Sequence, residues 1–305
     1  MVRKAHREIT SAANPLLKVF RHALAEGLTR DGWVAVEGPF ALEEALAASA
    51  SHRGVAVQSV LVSEKAAEKH HVLLDRLPRD AEVAVVPEHI FARVAATPSP
   101  QGVAALIEIE ARDLDRILRA TGTLLLVACG VQDPGNLGTM MRSALALGAS
   151  ALLTLKETVS PFNPKATRAS AGAVFHLPIL AGLEAADLFE KLRGAGMRMV
   201  AADRDSPMPL HAADLTGRIA ILIGREATGL PEEIAARADL HLSIPIRPGM
   251  DSVNAATAAS IFLYEAARQR GFEKLSDWGH EKRIQNSKVK IQKSKVGRAH
   301  LTFDL

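Results

Sequence analysis

Two hydrophobic rhythms run along this chain, one in each half. Near the start, Asn14-Pro15 precedes Leu16, Leu17, Phe20 and Leu24, a spacing that gathers the apolar side chains on one helix face behind a proline start. Strand-like runs follow at 33–36, 57–62, 82–86 and 103–107, separated by Ala/Leu/Glu-rich helical stretches, so residues 1–110 are predicted to form a small α/β domain. The charged stretch ARDLDRILRA from Ala111 carries scattered Leu and Ile and predicts a connecting helix, with 111–119 as linker.

Beyond it the runs become continuously apolar, at 124–128, 151–155, 175–180, 197–201, 219–223 and 240–246, as expected of parallel strands covered on both faces. Helical patterns lie between most of them, for example 137–147, and 252–270 follows the last. Residues 120–270 are therefore predicted to be a second α/β domain with a mostly parallel sheet. From residue 271 to 305 the chain turns Lys/Gln/Ser-rich. It nearly repeats itself, Arg283-Ile-Gln-Asn-Ser-Lys-Val289 being followed by Lys290-Ile-Gln-Lys-Ser-Lys-Val296. With few large apolar residues to offset the entropy of ordering, this stretch reads as a flexible basic tail.

Composition narrows the class. At 305 residues there is length for two cores, and 48% hydrophobic with 23% charged residues is ordinary for a soluble globular protein. No apolar run reaches the about 18 residues of a membrane span, and MVRKAHREIT lacks the apolar core of a signal peptide. Cys129 is the single cysteine, which leaves no internal disulfide and no cysteine-built zinc site. The expected compartment is the cytoplasm. The net charge of +3 sits at the ends: residues 271–305 hold eight Lys/Arg against four Asp/Glu, and residues 1–30 hold six against two. Basic ends fit a polyanionic partner, and equally a solvated surface.

Three loops of the second domain place turn-forming and polar residues at the ends of apolar strands, where open parallel sheets bind ligands. The first, Gly130-Val-Gln-Asp-Pro-Gly-Asn136-Leu-Gly138, leads into Thr139-Met-Met-Arg142-Ser143-Ala144. Here Asp133-Pro134-Gly135 is turn chemistry, Asn136 is placed to cap the next helix, and Arg142 follows one and a half turns on. The second is Gly224-Arg225-Glu226-Ala-Thr-Gly229-Leu230-Pro231, and the third Pro248-Gly249-Met250-Asp251-Ser252-Val253-Asn254. Singly, each has a structural alternative: glycines relieving a tight turn, Asn136 only capping, Arg142 pairing with a surface carboxylate. No G-x-G-x-x-G or P-loop is present, which removes support from dinucleotide and P-loop nucleotide binding. No His/Asp/Glu cluster has metal-ligand spacing, and His176 and His241, within strand-like runs, read as packed or hydrogen-bonded.

These loops carry a resemblance. Asn136-Leu-Gly138-Thr139 with Arg142-Ser-Ala144 resembles the first motif of the SpoU/TrmH branch of the SPOUT methyltransferases. Ile223-Gly224-Arg225-Glu226-Ala-Thr-Gly229-Leu230 is similar to the second, and Ile244-Pro245-Ile246 through Ser252-Val-Asn254-Ala-Ala-Thr-Ala258 to the third. Residues 1–110 are similar to the family's ribosomal-protein-like substrate-binding module, notably at Val36-Glu37-Gly38 and Pro100-Gln101-Gly102. One departure is visible: the third motif usually reads Ser-Leu-Asn-Val-Ser, and its last serine is Ala256 here.

The resemblance implies a deep trefoil knot in 120–270, homodimers formed through that domain, and S-adenosylmethionine as cofactor without a metal. Carried onto this chain, it places the cofactor against Gly224, Ile244 and Val253, with Met250 and Ala258 nearby. It assigns catalysis to Asn136, Arg142, Glu226, Ser252 and Asn254. The reaction implied is 2'-O-methylation of a ribose in structured RNA, ribosomal RNA ahead of transfer RNA. A non-catalytic RNA-binding protein that keeps the knotted fold is the alternative, and a nucleotide-dependent oxidoreductase with an irregular glycine loop a more distant one.

Overall fold

A computed structural model describes residues 7–51, 54–226 and 228–272; the 271–305 tail lies almost wholly outside the described residues. Two sheets are found. The first holds β1 (Arg7–Glu8), β2 (Val34–Glu37), β3 (Val55–Ser63), β4 (Glu82–Val86) and β5 (Val103–Ile109) in the order β1-β4-β3-β5-β2. β4 runs parallel to β1 and β3, and β5 antiparallel to β2 and β3. Around it lie α1 (Pro15–Glu26), α2 (Pro39–Ser51), α3 (Glu64–Lys69), α4 (His71–Leu74) and α5 (Glu88–Val94). α1 starts as its sequence requires. Asn14 Oδ1 accepts the Leu16 N–H at 2.9 Å, Pro15 fills the first turn, and Gly27 closes the helix at φ +95.

α6 (Leu114–Arg119) connects to the second sheet, whose strands β6 (Leu124–Ala128), β7 (Ala151–Leu155), β8 (Ile179–Leu183), β9 (Arg198–Ala202), β10 (Ile219–Ile223) and β11 (Leu240–Leu242) run in the order β11-β9-β10-β6-β7-β8. Every pairing in it is parallel. β6, β7 and β10 are buried at all positions, the reason their sequence is apolar throughout. α7 (Pro134–Ala146), α8 (Pro164–Ala169), α9 (Ala173–His176), α10 (Ala185–Gly194), α11 (Glu232–Ala235) and α12 (Ala255–Gln269) accompany it.

Two predicted strands are corrected at the sheet edges. The run 175–180 begins as the end of α9, entered through Gly172 at φ +88, and pairing starts only at Ile179, after Pro178. The run 240–246 belongs to the sheet only through Leu242, after which Ser243 makes an isolated parallel bridge to Pro209. Pro245 has no N–H for a ladder, and Ile246 is exposed.

The two layers meet along α8, which touches both α1 and β2, and along α2 against α9. Glu44 of α2 is buried there beside His176, with Oε2 at 3.5 Å from Nε2. A Cβ at Gly172 would come within 2.7 Å of the Glu44 side chain, so the absence of a side chain admits this contact.

Candidate active site

β6 and β10 are adjacent and parallel, so the loops that leave their ends emerge side by side. In the first loop the helix starts earlier than its sequence suggests. Asp133, not Asn136, is the N-cap: its Oδ1 accepts the Asn136 N–H at 2.8 Å, and Pro134 takes the first helical position. The Asn136 side chain is thereby released from capping.

That side chain joins the three loops. Asn254 caps α12 through Oδ1, which accepts from Ala256 N at 2.8 Å and Thr257 N at 3.3 Å. Its amide nitrogen therefore faces outward and donates to Asn136 Oδ1 at 2.9 Å. Asn136 Nδ2 in turn donates to Glu226 Oε1 at 2.8 Å. Each amide is fixed in orientation by its neighbours, and the chain ends on a carboxylate oxygen, a pure acceptor when ionised.

Glu226 is presented by a tight hairpin. Arg225 and Gly229 exchange backbone hydrogen bonds of 2.9 and 3.0 Å, with Gly229 at φ +71. A Cβ on Gly224 would stand 2.2 Å from the Gly229 carbonyl carbon, so only glycine fits at that position. The Arg225 guanidinium pairs with Glu157 and lies over Gly130, where a Cβ would sit 2.8 Å from Nε.

Beneath the hairpin lies a cavity of about 330 Å³. Gly224, Ile244, Val253 and Ala258 line it, as do Glu226 and Ser252. Met250 is outside the lining and 62% exposed. Asp203, Arg204, Asp205 and His241 are lining residues that the sequence reading did not select, and His241 Nδ1 lies 3.0 Å from Asp203 Oδ2. Their signal was available: Asp203 follows directly on β9, the same strand-end position that singled out the other loops.

Arg142 stands apart from this hydrogen-bonded chain. It is exposed on α7, one turn beyond Gly138, and among the described residues its guanidinium has no hydrogen-bond or ion-pair partner. α7 is held to α12 by Ser143 Oγ and Ser260 Oγ, 2.7 Å apart. Ala256, the departure from the third motif, is buried in the core, its N–H given to Asn254.

Asp133 shapes the local electrostatics. The Asn136 N–H, then Lys165 at 3.0 Å, hold its carboxyl below the ordinary range. Burial pushes the Cys129 thiol, at the end of β6, up to about 12. Among the described residues no group of three or more His, Cys, Asp or Glu could hold a metal ion.

Residues 123–264 match the SpoU rRNA methylase family, and residues 35–111 match the RNA 2'-O ribose methyltransferase substrate-binding domain. An uncharacterized tRNA/rRNA methyltransferase of Synechocystis sp. is 32% identical over 267 residues, 86% of this chain and 94% of that protein. The 23S rRNA (guanosine(2553)-2'-O)-methyltransferase RlmP of Bacillus subtilis is 29% identical over 85% of this chain and 98% of its own length. Among solved structures, an AdoMet-bound rRNA methyltransferase from Sinorhizobium meliloti superposes with a TM-score of 0.74 at 30% identity, covering 86% of this chain and 97% of that one.

Proposed function

This chain belongs to the SpoU rRNA methylase family, and from that premise we propose that it methylates a ribose 2'-hydroxyl of ribosomal RNA with S-adenosylmethionine as methyl donor. The observation that carries the reading is the Asn254–Asn136–Glu226 chain, whose Glu226 end lines the same cavity as Gly224. A cavity of about 330 Å³ is within the size range of cofactor sites, and its walls mix apolar side chains with a few polar groups. The backbone of Gly224, Ile244 and Val253 would hold the cofactor, with Ala258 in the same wall.

When bound, S-adenosylmethionine would supply an electrophilic methyl group on a sulfonium, and the ribose hydroxyl that accepts it would release its proton to solvent. What the protein adds is chiefly position, for which an acceleration worth about 7–11 kcal/mol is attainable. The Glu226–Asn136 pair orients the hydroxyl, and Ser252 and Asn254 hold the third loop and the target ribose. Arg142 grips the adjacent phosphate and polarises the hydroxyl, since a guanidinium keeps its proton. Among the described residues its guanidinium has no partner, which leaves its donors available for that task. Replacing it by Lys keeps the charge and loses the planar fork, so Arg142→Lys is expected to lower kcat about tenfold or more with cofactor affinity unchanged. An Arg142→Lys enzyme of near-full activity would dismiss the bidentate grip.

Ribosomal RNA is the preferred substrate and transfer RNA the second choice, the relatives of known specificity supporting that order. The trefoil knot, homodimers through the second domain and a cytoplasmic location complete the reading. Sedimentation tests the dimer. The reaction is tested by tritium transfer from labelled S-adenosylmethionine to unmodified ribosomal and transfer RNA. Linkages that resist alkali are then mapped, because cleavage at each linkage needs a free 2'-hydroxyl. Incorporation into ribosomal RNA at an alkali-resistant linkage is expected. A base-methylated product, or none, overturns the proposal.

A further inference from the structure

The sequence segments Val36-Glu37-Gly38 and Pro100-Gln101-Gly102 take no part in the site above, yet they meet each other and the second layer. Gln101 Oε1 lies 3.3 Å from where a Cβ on Gly38 would stand, and Gly38 has φ +104. Both segments line a cavity of about 130 Å³ whose opposite wall is α8. We propose that this cleft is a second RNA subsite, taking one unstacked nucleotide of the substrate with its base against Phe40 and its phosphate on Arg168. The inference rests on the RNA methylation reading for the identity of the ligand.

Four observations give the cleft its chemistry. Phe40 lines it and is 56% exposed, a large apolar ring left in water at the start of α2. Unstacked bases are held on such aromatic faces and read along their edges by hydrogen bonds. Arg168 lines it from the other side, exposed and, among the described residues, without a hydrogen-bond or ion-pair partner for its guanidinium. Thr167 also lines it and is only 7% exposed, and among the described residues its Oγ1 has no hydrogen-bond partner. A buried hydroxyl left unpaired is rare, and this one lies behind the cleft wall, where a group entering beside it would give it a partner. Glu37, the acidic group of the wall, is already engaged: it accepts the N–H of Ala96 at 2.9 Å and of Thr97 at 3.2 Å, and the Thr97 hydroxyl. Its charge is thus directed into the protein's own donors and away from an incoming phosphate.

The cleft is also coupled to the methylation site by position. α8 packs against α7 at Gly138, where a Cβ would come 2.4 Å from the Ala166 carbonyl oxygen, and Lys165 pairs with Asp133, the cap of α7. A nucleotide on Arg168 is therefore one helix away from Asn136 and Arg142, within reach of the same folded RNA segment.

The test uses the full chain and unmodified 23S ribosomal RNA made by transcription. Phe40→Ala is expected to raise both the RNA Kd and the KM for RNA about tenfold, the loss expected for one stacked base. kcat at saturating RNA and the calorimetric Kd for S-adenosylmethionine should stay within about twofold. Phe40→Trp should restore RNA affinity, a rescue that a merely structural role would not show. Thr167→Val, of the same shape without the hydroxyl, should weaken RNA binding several-fold, and Arg168→Gln should lower the salt slope by about 1. Thermal unfolding confirms that each variant folds. RNA Kd values of Phe40→Ala and Arg168→Gln within twofold of the parent would overturn the subsite. Because RNA binding is read without turnover, a parent protein that transfers no methyl group sinks the reaction while this measurement still decides the cleft.

Discussion

An amide hydrogen-bonded on both sides cannot rotate without losing a partner, and Asn136 is such an amide, held between Asn254 and Glu226. Asn136→Asp is nearly isosteric but replaces the donor toward Glu226 by an acidic oxygen 2.8 Å from a carboxylate. Like charges so close should push the loops apart. A kcat about a hundredfold lower is expected, with cofactor Kd changed only a few-fold; single-turnover transfer at saturating cofactor checks it, and an unimpaired rate would remove Asn136 from the chemistry. The sequence pointed to this residue but gave it the wrong local duty. Asp and Asn are about equally good caps, and Asp133-Pro134-Gly135-Asn136 offers both; the first-turn preference of Pro134 decides for Asp133. Cys129 is the other residue whose environment sets its chemistry. Its thiol is raised from 9.0 to about 12 by burial. The folded protein therefore keeps it neutral while an unfolded chain ionises it, so its effect on stability is absent below pH 9 and turns unfavourable as pH rises toward 12. Alkylation at pH 8 should be slow in buffer and fast in denaturant, and rapid native labelling would contradict the burial.

At the scale of elements, the packing of α7 on α8 is what carries the first loop to its place, and it turns on one missing side chain. A Cβ on Gly138 would lie 2.4 Å from Ala166 O and 2.5 Å from Ala169 Cβ. Gly138→Ala improves helix propensity by about 1 kcal/mol, but overpacking against a backbone oxygen costs about 1–3 kcal/mol, so a net loss is expected. Denaturant unfolding should show a lower midpoint with unchanged slope, and a stabilised variant would mean that α8 yields freely. The sequence shows the helix but not this contact, because a glycine inside a helical pattern reads equally as a turn. The same limit explains the strands. β6, β7 and β10 are central, buried on both faces, and their apolar runs are legible to the residue. β8 and β11 are the edges, where pairing on one side leaves exposure and prolines to set the ends. β1, two residues long and exposed, has no periodicity to detect.

For the whole molecule the question is how a nearly neutral body holds a polyanion. Residues 271–305 carry eight Lys/Arg against four Asp/Glu in a chain of net charge +3, so residues 1–270 have a net charge of −1. On the proposed reading, affinity in that body comes from placed cations such as Arg142 and Arg168 in direct contact with phosphates rather than from a general positive field, which salt screens beyond about a Debye length. A truncation after Phe272 separates the two contributions. If the tail contacts phosphates, each lost contact lowers the slope of log K against log salt by about 0.7–0.9, so the truncated chain should bind ribosomal RNA more weakly at low salt and converge with the full chain as salt rises. Cofactor binding should be the same in both. Filter binding across a salt series measures it, and identical slopes would mean that the tail's charge is not used on RNA, leaving the placed arginines to account for the whole electrostatic part of binding.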